Sequence, residues 1–175
     1  MTEKQSNILN AALDLFSNEG YASTPTSKIA KKAGVSEGLI FRHYTNKRGL
    51  LNVLMKEANL RLGELLIPVL FETNSKKVIR RVIKFPFKLV DEKDCEYLKL
   101  RAILNWDTEY NKPEKMKPLI YKLTVAFRNL KYKDPENEAQ LLYHIMDGIS
   151  MEILKGNMKQ ATSYRDFLLK KYKVL

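Results

Sequence analysis

The chain has 175 residues but only one cysteine, two histidines and seven glycines. Cys95 has no partner for a disulfide within the chain, which agrees with a reducing compartment. His43 and His144 with that one cysteine supply no metal-ligand spacing such as HExxH or CxxC. The glycines stand singly, so no glycine-rich loop can cradle a phosphate. No nucleophile–base arrangement is visible either, and neither an enzymatic activity nor a cofactor nor a metal is expected. No apolar run reaches the ~18 residues of a membrane span. The start is polar and then amphipathic, without the apolar core of a signal peptide, so a cytoplasmic location is expected. Strand-like alternation and hairpin signals are missing, which leaves an all-α class.

What is present is a basic, helical chain. Hydrophobic residues make up 45% and the net charge is +11, which favours an acidic partner. The excess is +3 in residues 1–50, +2 in 51–110 and +6 in 111–175. Charge therefore does not locate the binding site; residue order does.

In residues 3–18, Ile8, Leu9, Ala12, Leu13 and Phe16 trace one helical stripe, and Gly20 is a stop. Tyr21 can pack back onto that helix. In TPTSKIAKKAGVSEGLIFRHYTNK (24–47), Thr24 reads as an N-cap with Pro25 at the first helical position. Ile29, Ala30 and Ala33 form an apolar face, and Gly34 supplies the positive φ of a helix end. Val35 plugs the angle, Ser36 caps a second helix, and Glu37 sits in its first turn, where negative charge is favoured. Ile40 and Tyr44 can face inward. Two helices joined by a tight glycine-containing turn match a helix-turn-helix, whose second helix enters the major groove. An ordinary helical hairpin is the other reading. On the first, Gly38 lets backbone approach DNA and Arg42 bonds a guanine or a phosphate.

The order AALDLFSNEGY followed by TSKIAKKAGVSEGLIFRHYTNKRGLL resembles the N-terminal domain of the tetracycline-repressor (TetR/AcrR) family, from about Ile8 to Leu54. The resemblance implies a homodimeric, ligand-responsive transcriptional repressor that binds a palindromic double-stranded DNA operator. It implies a homeodomain-like three-helix DNA-binding domain (1–48) and a helical ligand-binding and dimerisation domain (49–175), joined by a helix from about residue 46. Carried over by position, Thr26 and Ser27 would meet phosphates, unless they act only as first-turn helix residues. Glu37, Gly38, Leu39 and Arg42 would face bases or backbone, His43 the backbone, and Lys47 a phosphate. Ser36, Phe41 and Tyr44 complete the expected DNA face. Phe41 departs from the Tyr common at that position and lacks a hydroxyl for a phosphate.

Beyond that helix, which is expected to run towards Pro68, segments 75–90, 94–109, 113–131, 135–156 and 163–173 read as helices. Segment 75–90 carries six Lys/Arg and no acid. It is either a buried helix with one solvated basic face or, as the alternative function, an adaptor surface for acidic membranes or a protein partner. Pro86 is expected to kink or end it. In segment 113–131, Pro118 marks the true helix start. Phe87, Trp106, Tyr110, Tyr121, Tyr143 and Met146, with Phe85 nearby, are candidate lining for a pocket holding a small apolar or amphipathic effector. Asp107, His144 or Asp147 would be its polar points. The family resemblance pairs the last two helices with a second subunit. Ile145, Ile149, Ile153 and Phe167 are the candidate interface, on the premise that the three isoleucines cannot all find cover within one chain.

Overall fold

The computed structural model describes residues 1–88, 95–104, 113–154 and 156–175. Among these every regular element is helical. Three helices open the chain: α1 (Glu3–Glu19), α2 (Thr26–Ala33) and α3 (Glu37–Tyr44). They are followed by α4 (Lys47–Leu70), α5 (Ser75–Lys88) and α6 (Cys95–Ile103). A 3-10 turn (Pro113–Met116) leads into α7 (Lys117–Asn129), then α8 (Pro135–Leu154) and α9 (Met158–Lys171). The chain divides into two compact units, Met1–Leu62 with Glu96–Tyr110, and Gly63–Cys95 with Asn111–Leu175. The first division point falls inside α4.

The first unit is built on the stripe of α1. Ile8, Leu9, Ala12, Leu13 and Phe16 are buried against Ile29 and Ala30 of α2, Ile40 of α3, Leu50, Leu51 and Leu54 of α4, and Leu100 and Leu104 at α6. Tyr21 packs back as expected, its ring edge-on to Phe16 at 5.1 Å. Thr2 and Gln5 close a reciprocal cap at the start of α1.

Several local expectations change. Pro25, not Thr24, is the N-cap of α2. Thr24 is fully buried, and its hydroxyl donates to the Gly20 carbonyl at 2.8 Å. The hydroxyl is turned to the preceding turn, and α2 starts without a side-chain cap bond. Pro86 does not end α5, since the helix continues to Lys88. Pro68 likewise lies inside α4. α9 begins five residues before the expected Ser163, at Met158. Pro118 does fall in the first turn of α7.

In the second unit, α5 turns Val78, Ile79, Val82, Ile83 and Pro86 inward and packs on α7, α8 and α9. Lys76, Lys77, Arg81, Lys84 and Lys88 stay exposed. The apolar face of α5 is thus committed to its own chain, and this leaves none for the adaptor reading of 75–90. Phe127 is fully buried, with the rings of Tyr132 and Tyr172 at 4.9 and 5.4 Å. The tail closes over this cluster. Val174 is buried and its carbonyl accepts from Arg80 Nε at 2.6 Å, while the Tyr172 hydroxyl donates to Glu138 Oε2 at 3.2 Å. Burial first, and then the nearby Glu138 carboxylate, push the Tyr172 phenol well above its ordinary range.

Candidate nucleic-acid interface

The turn between α2 and α3 is set by Gly34, in the left-handed region at φ 66°. The Val35 N–H then reaches back to the Ala30 carbonyl at 3.0 Å, which closes the end of α2 and brings Val35 against the core. Ser36 occupies the N-cap of α3, although its hydroxyl makes no capping bond. Ile40 is fully buried and Leu39 is half-buried against the core, so this side anchors α3.

The opposite side carries the polar and basic residues. Gly38, Phe41, Arg42 and His43 are exposed, Phe41 at 44% despite its size. Gly38 has no internal reason to be glycine. Its φ is not positive, and a Cβ there would meet nothing within 4 Å. Glycine costs a helix about 0.8–1 kcal/mol relative to alanine, so α3 is weakened there without a gain in packing. Arg42 lies in the last turn, next to His43.

Other expected contacts are already engaged. The Thr26 hydroxyl donates to Glu37 Oε1, which joins the first turn of α2 to the first turn of α3. The Tyr44 hydroxyl donates to the Gln5 carbonyl at 3.3 Å, so Tyr44 faces α1, as its spacing from Ile40 suggested, and stands away from the exposed face. Ser27 and Ser36 are exposed. Lys47 opens α4. Its ammonium lies 4.4 Å from the Tyr21 ring centroid and donates to the Ala22 carbonyl at 3.3 Å. Partial burial holds its pKa below the ordinary lysine value, and a nearby phosphate would reverse that loss. Lys28 and Lys32 are paired with Glu19 and Asp14 of α1 and act as ties between helices.

The sequence reading missed the corner between α3 and α4. Thr45 adopts φ 68°, Asn46 Oδ1 caps the Gly49 N–H at 2.8 Å, and the Gly49 backbone comes up against Tyr44. A Cβ on Gly49 would lie 2.0 Å from the Tyr44 carbonyl oxygen. A glycine in the first turn of a helix that needs no positive φ was the available signal.

In the second unit, Ile145 is half-buried, whereas Ile149 and Ile153 are buried within the chain. Two of the three thus find cover among their own chain's neighbours, and Ile145 does so only in part. Phe167 is 63% exposed. Ile145, Gly148, Ile149, Glu152, Tyr164, Phe167 and Leu168 line a shallow, largely apolar depression of about 480 Å³. Of the candidate pocket residues, Met146 is buried, Tyr143 is half-buried beside His144, and the Phe87 ring lies 5.0 Å from the Arg165 guanidinium. Tyr121 is 70% exposed on α7, which does not suit the lining of an enclosed cavity. Trp106, Asp107 and Tyr110 lie outside the described residues. No helix among the described residues is long and apolar enough to cross a membrane.

Three short helices with an exposed, polar-to-basic second helix of a helix-turn-helix define a nucleic-acid-binding class of domain. Residues 8–54 match the model of the tetR family of bacterial regulatory proteins. The match lies within the helix-turn-helix and its flanking helices, less than half of the chain. A curated relative, the uncharacterized HTH-type transcriptional regulator YvkB of Bacillus subtilis (strain 168), is 32% identical over 123 residues, or 65% of this chain. The match spans 61% of that relative, less than two thirds of its length. A TetR-like transcriptional regulator from Rhodococcus sp. RHA1 shares the fold with a TM-score of 0.79 at 20% identity, over 94% of this chain and 91% of that one. AibR, solved in complex with isovaleryl coenzyme A and operator DNA, does so at 0.70 and 20%, over 88% and 86%.

Proposed function

We propose that this protein is a cytoplasmic DNA-binding transcriptional regulator, a repressor that binds a palindromic operator as a homodimer and releases it when a small effector binds. The observation that carries the reading is the exposed face of α3, where Gly38, Phe41 and Arg42 stand clear of the core beside His43 and Lys47. Gly38 admits DNA backbone, Arg42 reads a base edge or a phosphate, and His43, Lys47, Thr26 and Ser27 hold phosphates. Thr26 reaches a phosphate only after its hydroxyl leaves Glu37. Ser36 and Leu39 complete this face, and Tyr44 supports it from the side of α1.

Residues 1–48 serve as the DNA-binding portion and 49–175 as the effector-binding and dimerisation portion. The apolar depression beside Ile145 and Phe167 supports dimerisation, since two-fold dimers bury the same patch from both subunits. Two recognition helices set about 34 Å apart then meet successive grooves, and an effector that changes this spacing releases DNA. The effector class is small and amphipathic. The ligand in the AibR complex makes an acyl-coenzyme A thioester one candidate, and the basic excess of residues 111–175 suits such an anion. Phe87, Tyr143 and Met146 remain its candidate contacts.

The test is selection of duplexes from randomised DNA by the wild-type protein, followed by gel shifts on the selected duplex. Arg42→Ala is expected to cost roughly 1–3 kcal/mol of affinity and relax specificity, and Lys47→Ala to reduce the log–log salt slope by about one. Selection that returns no enriched duplex, or variants that bind as tightly as wild type, would sink the proposal.

A further inference from the structure

We infer that Gln5, in the first turn of α1, positions the imidazole of His43 and decides which of its nitrogens carries the proton. The consequence for DNA rests on the function proposed above, but the positioning is a property of the free protein.

The Gln5 carboxamide is held at both ends. Its Oε1 accepts the Thr2 N–H at 2.8 Å, while the backbone N–H of Gln5 donates to Thr2 Oγ1 at 3.3 Å. This reciprocal cap fixes the amide's orientation, because an NH2 group in place of the oxygen would meet the Thr2 N–H donor to donor. The Nε2 end is therefore the one turned to α3, where it lies 3.3 Å from His43 Nδ1. A carboxamide NH2 donates and does not accept, so Nδ1 is the acceptor. In the neutral ring the proton then sits on Nε2, since the bond made by one imidazole nitrogen sets the state of the other. Nε2–H remains available on the exposed face as a donor to a phosphate oxygen.

The same residue also holds the next position of α3, because its carbonyl accepts the Tyr44 hydroxyl at 3.3 Å. Gln5 thus ties two consecutive residues of the last turn of α3 to the start of α1, across 38 residues of sequence. It is a positioning residue and touches no DNA itself.

Long-range proton–nitrogen-15 spectra of the full chain near pH 8, where an ordinary histidine is neutral, read the tautomer directly. Wild type is expected to show His43 Nδ1 unprotonated and Nε2 protonated, with His144 as the internal reference. In Gln5→Glu, a carboxylate that only accepts faces both Thr2 N–H and the ring. Nδ1 is then expected to become protonated. A protonated Nδ1 in wild type, or the same Nδ1 state in both proteins, overturns the inference.

A second arm uses Gln5→Met, which keeps length and helix propensity but cannot donate. On the selected duplex it is expected to weaken binding about threefold to tenfold in the wild-type background and to add nothing in His43→Ala. Equal losses in both backgrounds would assign Gln5 to general support of α1 and overturn the inference. If no duplex is bound by any of these proteins, the function has failed, and the nitrogen-15 result still decides the positioning.

Discussion

In the N-terminal unit the helices around Phe16 are tied at their rims by polar contacts: Thr26 to Glu37, Gln5 to His43, Tyr44 to Gln5, Lys28 to Glu19 and Lys32 to Asp14. In the C-terminal unit the helices around Phe127 also carry polar ties, among them Tyr172 to Glu138 and Asn129 to Ser75, but an apolar depression beside Phe167, itself 63% exposed, is left open. The two finishes suit different partners. A polyanion is met by fixed donors, and fixing them requires hydrogen bonds between helices. A second protein surface is met by apolar area, whose attraction has no direction and needs no such ties. The contrast also explains why net charge misplaces the site: several basic residues of the N-terminal unit are spent on ties within it.

The contrast can be broken at several points. Phe127→Ala should have the largest effect, a loss of about 3–5 kcal/mol in urea unfolding, because it empties the centre of an aromatic cluster. A loss no larger than that of a rim contact would end the claim that the second unit depends on its apolar faces. Gly49→Ala follows, at about 1–3 kcal/mol with impaired DNA binding, since its methyl must push the α3–α4 corner apart. Normal stability and normal binding together would mean that the corner yields freely.

Gly38→Ala should act in the opposite direction on stability. Unfolding should require about 0.5–1 kcal/mol more while DNA binding weakens, because the helix gains and the open face is filled. Unchanged affinity would remove Gly38 from the interface. The smallest effect belongs to Asp14→Asn. The hydrogen bond from Lys32 holds the Asp14 carboxyl below its usual range. Its folded pKa is depressed, so its contribution is present above the unfolded value and is lost as pH falls through the folded one. Thermal unfolding should show a slight destabilisation at about pH 7 that disappears at about pH 2, as for other exposed pairs. A destabilisation that persists in acid would point to packing instead of charge.

Much of the fold was readable from the chain alone. The stripe Ile8–Phe16 marked α1, Gly34 marked the end of α2, Asn46 marked the start of α4, and the apolar positions of 75–88 marked the buried face of α5. Each is a local signal: a 3.6-residue period, a cap, or a residue that alone tolerates a given φ. The failures were of another kind. Thr24 was assigned to the helix after it, when its hydroxyl belongs to the turn before it. Pro86 was read as kinking or ending its helix, and the helix does not end there but continues to Lys88. Which of Ile145, Ile149 and Ile153 finds cover was not readable, because α8 lies among neighbours that the sequence does not reveal.

By itself, then, the order of residues determined the helices of the described residues, a helix-turn-helix between residues 24 and 47, and the family model that this unit matches. Only the tertiary structure decided which donors of that unit are open and which are engaged. Gln5 with His43, Thr26 with Glu37 and Gly49 with the Tyr44 carbonyl are meetings set by how helices and corners pack. Periodicity reports which face of a helix is apolar, but the angle at which two helices cross, and so which polar side chains touch, depends on the shapes of the side chains packed between them.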